Sequence, residues 1–459
     1  MRNVLWFLTL ALVVLMPTQW AFRVGAQRKT VSRIVTETAP DGSTREVERT
    51  DVKLEGGAHV TPGDALLAAV FLAWAATAVV TFRLAEIRWP ILAVFVFLAA
   101  VLASVLHSQS PRPGLRELLQ LGAYFVGGWL VFGNCIDTRP RLKVAADLFS
   151  VVVAAVVLIA LFQYKQRSGG LVFGVCGTFA NRNTLGAFLA VSLPFVFALA
   201  LYETRLWGRF ALMLTVGIGA AVTLSGGALI AIAAALLFVA AVKSRAALVG
   251  VLLAVLLAVT IVVPFLPPRH SETVVCSVRP FLDGNALDHG RKLDRRERTV
   301  TAARYKRWDA AVRLIRRHLR PPFLGVGPGR FNEAVGSEYG DVEKPEGDTD
   351  DVRGFNVTAA EPDTFNMYLV TAAESGPVAL VALAWILFAL LGGNVREHGR
   401  CGDDTGRALA LGGAGAVVGA ALCAVFSNVL VRGVAMPFIF AALSGILWAR
   451  LPARPARRP

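Results

Sequence analysis

Long apolar runs alternate with short polar segments along most of the chain. Runs of about 18 residues or more recur between the amino terminus and residue 450, and each is long enough to cross a hydrocarbon core roughly 30 Å thick as a helix. The runs are continuous, whereas the strands of a membrane barrel alternate apolar and polar residues, so helices are predicted. About twelve spans are expected, with ends placed to within about four residues. They lie near residues 3–22, 63–82, 89–107, 117–134, 144–163, 183–201, 208–224, 226–242, 246–266, 366–392, 408–427 and 433–450.

Composition agrees with a membrane protein. Of the 459 residues, 55% are hydrophobic and only 17% are charged, which excludes a soluble protein of this length. The predicted fold class is therefore all-α and polytopic, with about twelve transmembrane helices. A large periplasmic loop that contains amphipathic helices and a small N-terminal periplasmic β-hairpin complete the predicted architecture.

The positions of lysine and arginine predict the topology, because these residues are retained on the cytoplasmic side of membrane proteins. With the amino terminus inside, the short inner loops and the carboxyl tail hold many basic residues, and the short outer loops hold far fewer. The inner ones are Arg83, Arg88, Arg139, Arg141, Lys143, Arg205, Arg209, Lys243, Arg245, Arg396, Arg400, Arg407, Arg450, Arg454, Arg457 and Arg458. Both termini are therefore predicted to be cytoplasmic in a bacterial inner membrane. The net charge of +15 is explained largely by these loops and by anionic lipid, so no nucleic-acid partner is predicted.

The predicted topology divides the chain into six parts. These are a first transmembrane helix (1–22), a periplasmic β-hairpin insert (23–62), transmembrane helices two to nine (63–266), a large periplasmic loop (267–365), transmembrane helices ten to twelve (366–450) and a basic cytoplasmic tail (451–459). The first helix also resembles a signal peptide, with Val24, Gly25 and Ala26 as its cleavage site. An uncleaved helix is the preferred interpretation, and the remaining topology is the same in both cases.

Two polar runs with period two predict the hairpin. Residues 30–36 and 45–54 each alternate as strands do, and residues 40–43 (Pro-Asp-Gly-Ser) between them form a turn sequence. Because a lone hairpin is only marginally stable in water, we expect it to rest on another part of the protein, such as the large loop.

Two of the five cysteines map to predicted outer loops. Cys176 and Cys276 would therefore lie in an oxidising compartment, where a disulfide between them is possible. Two unpaired thiols are the alternative, because a disulfide also requires a short distance between the two Cα atoms. Cys135, Cys401 and Cys423 fall at cytoplasmic or intramembrane positions, where free thiols are expected.

The large loop contains a segment with helical spacing. Between Arg291 and Arg320 apolar residues recur every three or four positions, and the other faces are strongly basic. The apolar stripe comprises Tyr305, Trp308, Val312, Ile315 and Leu319. Two interpretations are open: a helix that lies on anionic headgroups, or a phosphate clamp, since arginine neutralises pyrophosphate and bonds two oxygens at once. Residues 325–331 (Gly-Val-Gly-Pro-Gly-Arg-Phe) follow as a glycine-rich turn that lacks the Gly-Lys-Ser/Thr of a P-loop.

In order and position, three stretches resemble the O-antigen ligases and the related O-antigen polymerases. Residues 177–183 (Gly-Thr-Phe-Ala-Asn-Arg-Asn) are similar to the family's Gly-Thr-Phe-x-Asn-x-Asn. Residues 307–311 (Arg-Trp-Asp-Ala-Ala) and the turn 325–331 look like its Trp-containing loop helix and its Gly-x-Gly-x-Gly-x-Phe turn. Residues 366–369 (Asn-Met-Tyr-Leu) and 374–376 (Glu-Ser-Gly) look like its His-Asn-x-Tyr-Leu and Glu-x-Gly. The likeness covers roughly residues 60–450.

The resemblance implies a glycosyl transfer on the periplasmic face. In such a reaction a glycan moves from undecaprenyl pyrophosphate to a lipid or glycan acceptor, without a metal, a cofactor or a nucleotide sugar. The expected partners are therefore the undecaprenyl-pyrophosphate-linked glycan, the acceptor and the membrane.

Two positions depart from the family pattern. The family's histidine falls at Phe365, which cannot accept a proton, and its Ser-Arg-Gly-Ala reads Ser-Gly-Gly-Ala at residues 225–228. Asp363 and Glu361 lie just before Phe365 and are the candidate catalytic bases. Asp363 is also a candidate N-cap of the helix that follows.

The candidate substrate-binding residues combine arginines with amide and carboxylate side chains. They are Arg307, Arg182, Arg330, Asn181, Asn183, Asn366 and Glu374. Arg307 matches the family's loop arginine and is the first choice for the pyrophosphate contact, with Arg330 second. Asn181 and Asn183 offer donors and acceptors for sugar hydroxyls, although Asn183 could instead cap its helix. Glu374 is an intramembrane carboxylate, which is costly to bury and therefore favours a functional role; a structural hydrogen bond is its alternative.

The leading function is a lipid-linked glycan transferase, either a ligase or a polymerase. A non-catalytic relative that binds polyprenyl glycan in an export machine is the alternative, and the phenylalanine at position 365 favours it. A secondary transporter is least favoured, because it would require paired ionisable residues at mid-membrane and the predicted spans hold few charges.

Overall fold

The chain folds into a bundle of apolar helices with a short β insert near its amino terminus. The structure is a computed structural model. It describes residues 2–17, 22–24, 27–38, 44–55, 58–81, 91–166, 175–179, 182–223, 225–257, 260, 307–317, 324–331, 334–335, 366–427 and 434–451.

Helices account for most of the described residues. They are α1 (Arg2–Leu15), α2 (Pro62–Thr81), α3 (Ile91–His107), α4 (Pro111–Gly122), α5 (Trp129–Cys135), α6 (Arg139–Gln166), α7 (Arg182–Tyr202), α8 (Leu206–Val222), α9 (Gly226–Lys243), α10 (Arg245–Leu257), α11 (307–317), α12 (Met367–Arg400), α13 (Asp404–Cys423) and α14 (Ala435–Arg450). A π-helical segment, Ala123–Gly128, joins α4 to α5.

Local sequence signals set several helix ends. Thr61 and Asp64 form a reciprocal capping pair at the start of α2, with N···O distances of 2.9 and 3.1 Å. Pro111 occupies the first turn of α4, where its missing N–H costs nothing. The Asp403 carboxylate caps α13 by accepting the Gly406 N–H at 2.9 Å.

Four strands precede α2: β1 (Phe22–Val24), β2 (Gln27–Thr38), β3 (Thr44–Glu55) and β4 (Ala58–Val60). β2 pairs with β3 in antiparallel register, from Gln27 opposite Glu55 to Thr38 opposite Thr44, and β1 pairs with β4. The predicted strand runs 30–36 and 45–54 fall within β2 and β3. The predicted turn at residues 40–43 lies outside the described residues, and the periplasmic location of this insert stays a prediction.

Each of the twelve predicted spans overlaps an apolar helix of the described chain. Six helices are both long enough and apolar enough to cross a membrane. They are Gly114–Cys135, Arg139–Tyr164, Arg182–Tyr202, Gly226–Lys243, Met367–Arg400 and Asp404–Cys423. The other six apolar helices have 10–17 residues. The expectation that these shorter helices also cross the membrane stays a prediction. The chain is thus a helical protein with several candidate membrane spans.

Contacts between helix ends define two ends of the bundle. At one, called the site end, the Met367 N–H at the start of α12 donates to Ala424 O after α13 at 2.8 Å. At the other, called the far end, Arg139 Nε donates to Leu451 O at 3.0 Å, and His398 Nδ1 lies 3.1 Å from Arg407 O. Arg139 and Arg407, both from predicted inner loops, therefore share the far end.

Close helix contacts depend on glycine. α13 packs against α7 so tightly that a Cβ placed on Gly419 would lie 1.9 Å from Ala190 O. Such an approach needs small residues, which are typical of helix interfaces in membranes. The adjacent core contains aromatic side chains in edge-to-face and tilted contact, among them Phe149, Phe195 and Phe440.

We expect Gly419→Ala to destabilise the bundle. The added methyl group would overlap a backbone oxygen, and overpacking of this kind costs about 1–3 kcal/mol of unfolding free energy. Thermal unfolding of the purified protein in detergent measures the effect. Gly392→Ala in α12 is the control, because a Cβ there meets nothing within 4 Å; equal midpoints for the two variants would contradict the contact.

Candidate functional site

Helix α12 is broken one third of the way along its length. Gly376 has φ 86° and ψ 170°, outside the helical region, and Pro377 follows it. Pro377 has no N–H, so the helical hydrogen bond to Ala373 O cannot form. The break at Gly376 likewise moves the next turn away from the carbonyl of Glu374. Two backbone oxygens at the site end are thereby open to other donors.

The glycine-rich turn at residues 325–331 supplies those donors. The Val326 N–H donates to Ala373 O at 3.0 Å, and the Gly327 N–H donates to Glu374 O at 2.9 Å. The two backbones approach so closely that a Cβ on Gly325 would lie 2.2 Å from the carbonyl carbon of Glu374. Glycine at position 325 is therefore required by the close approach of the backbones.

Two side chains reinforce this docking. The Glu374 carboxylate, only 7% exposed, accepts the buried Phe331 N–H at Oε1 with a distance of 2.9 Å. Ser104 in α3 donates to Glu374 O at 2.6 Å and lies 3.4 Å from Gly325 O. The turn is therefore held between α3 and α12, and Glu374 has a structural hydrogen bond.

The docked turn presents Arg330. Gly327 and Gly329 have positive φ angles of 103° and 75°, a conformation that glycine adopts without strain. This shape brings the Arg330 guanidinium to Ser108 at the end of α3, with Nη1 to Oγ at 3.2 Å. Arg330 is half-buried and fixed at the site end.

Helix α11 packs on the same assembly. Its buried residues form a small apolar cluster with the turn and with α12. The cluster comprises Ala310, Ala311, Leu314, Phe331, Val335 and Ala373. Arg307 is half-buried at the start of α11, whereas Arg313, Arg316 and Arg317 are exposed, and Arg313 pairs with Asp309. The predicted basic surface of this helix is thus present.

The predicted apolar stripe of α11 is wrong in its rotation about the helix axis. Trp308, Val312 and Ile315 are only half-buried, and the buried face carries Ala310, Ala311 and Leu314 instead. That face packs against Phe331 of the turn and Ala373 of α12. Tyr305 and Leu319, the other members of the predicted stripe, lie outside the described residues.

Arg182 and Asn183 also lie at the site end. α7 begins at Arg182, so Asn183 is inside the first turn and is not the N-cap. The segment before α7 is fixed by Gln163, whose Oε1 accepts the Gly177 N–H at 2.8 Å and whose Nε2 donates to Gly177 O at 2.8 Å. Arg182 and Asn183 are half-buried.

Asn366 begins α12. Its side chain is 8% exposed, and its Oδ1 accepts the Leu369 N–H at 3.1 Å as the N-cap. The alternative role predicted for Asp363, the capping of this helix, is therefore wrong, because α12 begins at Met367. Capping engages Oδ1 of Asn366. The contact between Asn366 and substrate stays a prediction.

Comparison with known proteins identifies the segment that contains this assembly. The O-antigen ligase family model matches residues 210–384, from α8 to the first half of α12. This part of the chain is therefore similar to the O-antigen ligases, as the sequence motifs indicated. A search of curated proteins found no match.

The matched residues 210–384, called the ligase segment, contain most of the docked assembly, namely α11, the turn and Glu374. Ser104 of α3 and Ser108, just after α3, lie before this segment and contact the assembly. Arg182 and Asn183 also lie before it. The site end therefore combines the ligase segment with the amino-terminal half of the bundle.

Several predicted site residues lie outside the described residues. They are Asp363, Glu361, Asn181, Phe365 and Cys276. The catalytic roles of the two carboxylates and the disulfide between Cys176 and Cys276 therefore stay predictions. Cys135, Cys401 and Cys423 are free thiols.

Two features of the candidate site were not predicted from the sequence. The Gly376-Pro377 dipeptide inside an apolar run is a readable signal of a helix break, and it marks the docking point of the turn. Ser104 and Ser108 carried no comparable signal, because serine is common in apolar helices and their partners are far away in the chain.

Proposed function

We propose that this protein is an O-antigen ligase family member that transfers a glycan from undecaprenyl pyrophosphate to a lipid or glycan acceptor on the periplasmic face of the bacterial inner membrane. In this arrangement the site end of the bundle faces the periplasm. The far end and both termini face the cytoplasm. It includes twelve transmembrane helices and the large periplasmic loop at residues 267–365.

The fixed position of Arg330 supports this proposal most directly. A guanidinium held on a docked glycine turn, beside the exposed arginines of α11, suits a leaving group with two phosphates. Arginine forms paired, charge-assisted hydrogen bonds to phosphate oxygens, and donors fixed in advance stabilise charge that develops in the transition state. Arg307, at the start of α11, and Arg182, at the start of α7, are the other proposed contacts of the donor.

The proposed reaction is an inverting displacement at the anomeric carbon. The acceptor hydroxyl oxygen bonds to that carbon while the bond from carbon to the diphosphate oxygen breaks, and the diphosphate departs with the electron pair. The hydroxyl proton passes to a carboxylate, for which Asp363 or Glu361 is proposed. Asn181, Asn183 and Asn366 are proposed to orient sugar hydroxyls.

A non-catalytic, glycan-binding role is the second candidate function, because phenylalanine occupies position 365. Deletion of the gene separates the two. A transferase predicts loss of a surface glycan and accumulation of its lipid-linked precursor. Unchanged levels of both, in a strain without a second ligase or polymerase, would contradict the proposal.

We expect Arg330→Gln to lower glycan transfer about 10- to 100-fold, because a hydrogen bond to a charged group contributes about 1.5–3 kcal/mol. Arg330→Lys should retain part of the activity, since it keeps the charge but loses the paired donors. Transfer is measured with purified protein and lipid-linked donor. Arg396→Gln at the far end is the control, and equal activity of Arg330→Gln and the control would contradict this role.

A further inference from the structure

We propose that the outward face of α4 binds the lipid diphosphate end of the donor as it reaches Arg330 from the bilayer. The binding surface consists of Arg112, Leu115, Arg116 and Leu119. This inference rests on the proposed function and extends it to residues that precede the ligase segment.

Helix α4 is fixed directly beside the glycine turn. A Cβ on Gly114 would lie 3.3 Å from Pro328 Cδ and 3.4 Å from Pro328 O, so the first turn of α4 touches the turn that carries Arg330. Ser108, three residues before α4, bonds the Arg330 guanidinium. A ligand held by Arg330 is therefore adjacent to the start of α4.

The two faces of α4 differ in character. Positions 112, 115, 116 and 119 fall on one face at helical spacing, and all four are exposed, with Leu115 at 48% and Leu119 at 66%. The opposite face contains Gly114 and Leu121, which are buried. Arginine and leucine thus alternate on a surface that faces away from the protein core.

The charge of this surface requires an explanation that topology does not supply. Arginine in short segments is favoured on the cytoplasmic side, yet Arg112 and Arg116 lie at the proposed outer end. Two cations on that side oppose the usual bias, and a bound anion would offset their charge. By contrast, Arg396 and Arg400 have the same spacing at the far end, where the bias favours them.

A polyprenyl diphosphate matches both components of the surface. Its diphosphate carries negative charge that Arg112 and Arg116 would bind, and its isoprenoid chain remains in the bilayer, where Leu115 and Leu119 offer apolar contact. The four residues span about 10 Å of helix at 1.5 Å per residue, which accommodates a headgroup together with the first part of a chain.

The test compares Arg112→Gln/Arg116→Gln with the matched control Arg396→Gln/Arg400→Gln. Each purified protein is placed in nanodiscs, and its binding of undecaprenyl diphosphate and of phosphatidylglycerol is measured by native mass spectrometry. We expect the first pair to weaken diphosphate lipid binding at least tenfold and to leave phosphatidylglycerol binding unchanged. The control pair should bind both lipids as the unmodified protein does.

Two outcomes would overturn the inference. Unchanged binding of undecaprenyl diphosphate would show that α4 does not contact the donor. An equal loss for both lipids would show that the arginines bind bulk anionic headgroups only.

A second pair, Leu115→Asn/Leu119→Asn, separates the apolar contribution. This pair should weaken the binding of undecaprenyl diphosphate. Inorganic pyrophosphate, which has no isoprenoid chain, should bind as before. Equal effects on the two probes would overturn the assignment of the isoprenoid chain to these leucines.

The results for the Arg330 and α4 variants together show whether the inference alone fails or the proposed function fails as well. If Arg330→Gln lowers transfer as expected while the α4 variants bind donor normally, the inference fails and the proposed function stands. If undecaprenyl diphosphate does not bind the unmodified protein at all, the proposed donor is wrong, and the inference fails with it.

Discussion

Replacing Gly325 with alanine is expected to lower glycan transfer at least about 100-fold while leaving the transmembrane bundle folded. The new Cβ would lie 2.2 Å from Glu374 C, 2.3 Å from Glu374 O and 2.5 Å from Ala373 O, and none of these backbone atoms can move aside like a flexible side chain. The turn must separate from α12 and lose both N–H···O=C bonds. Overpacking of about 1–3 kcal/mol and two hydrogen bonds of about 1 kcal/mol each together give at least this factor.

A labelling measurement shows whether the turn itself has moved. Val335 is 6% exposed in the cluster beneath the turn, so a Val335→Cys variant, made in a protein whose five native cysteines are replaced, should react slowly with maleimide. Gly325→Ala should accelerate that reaction at least about tenfold. Gly402→Ala is the matched control, because a Cβ there meets nothing within 4 Å. Slow labelling and normal transfer in Gly325→Ala would contradict the close docking of the turn.

Apolar length and spacing were enough to predict the helical elements. Each predicted span overlaps an apolar helix because a continuous apolar run leaves the backbone no partner in lipid except itself. α7 illustrates this well: the predicted span 183–201 and the observed Arg182–Tyr202 differ by one residue at each end.

The buried face of α11 could not be predicted in the same way. The apolar stripe through Trp308, Val312 and Ile315 followed the rule that large apolar residues are buried. Ala310, Ala311 and Leu314 are buried instead, because that face packs against the turn and Ala373 of α12. A hydrophobic pattern along one helix does not show which face its tertiary neighbours will cover.

The candidate site could be predicted only in part. Family-like motifs indicated Arg307, Arg330 and Glu374, and the structure brings their segments together at one end of the bundle. The contacts themselves are long-range and largely made by the backbone. Ser104, for example, is 270 positions from Glu374 in the chain, and no local pattern marks it as the donor to that carbonyl.

The carboxylate of Glu374 is expected to act by holding the turn in place. Glu374→Ala and Glu374→Gln should therefore differ sharply in glycan transfer. Alanine removes the acceptor of the Phe331 N–H and leaves a buried donor unsatisfied, at a cost of about 1–3 kcal/mol. Transfer should fall about 10- to 100-fold. Glutamine keeps an oxygen at the position of Oε1 and should retain most of the activity. The rate of maleimide labelling of Val335→Cys should rise with alanine and stay low with glutamine.

This pair of variants also decides between positioning and direct contact with substrate. If the carboxylate bound a sugar through its charge, or accepted a proton, both variants would lose glycan transfer equally, because glutamine is neutral. Equal loss of transfer in Glu374→Ala and Glu374→Gln, with slow labelling in both, would therefore contradict the positioning role and favour the substrate-binding role predicted from the sequence. Glu203→Ala, next to the far end, removes a carboxylate without touching the turn and should transfer glycan normally. Because labelling is read independently of transfer, the mobility of the turn can be established even in a variant without activity.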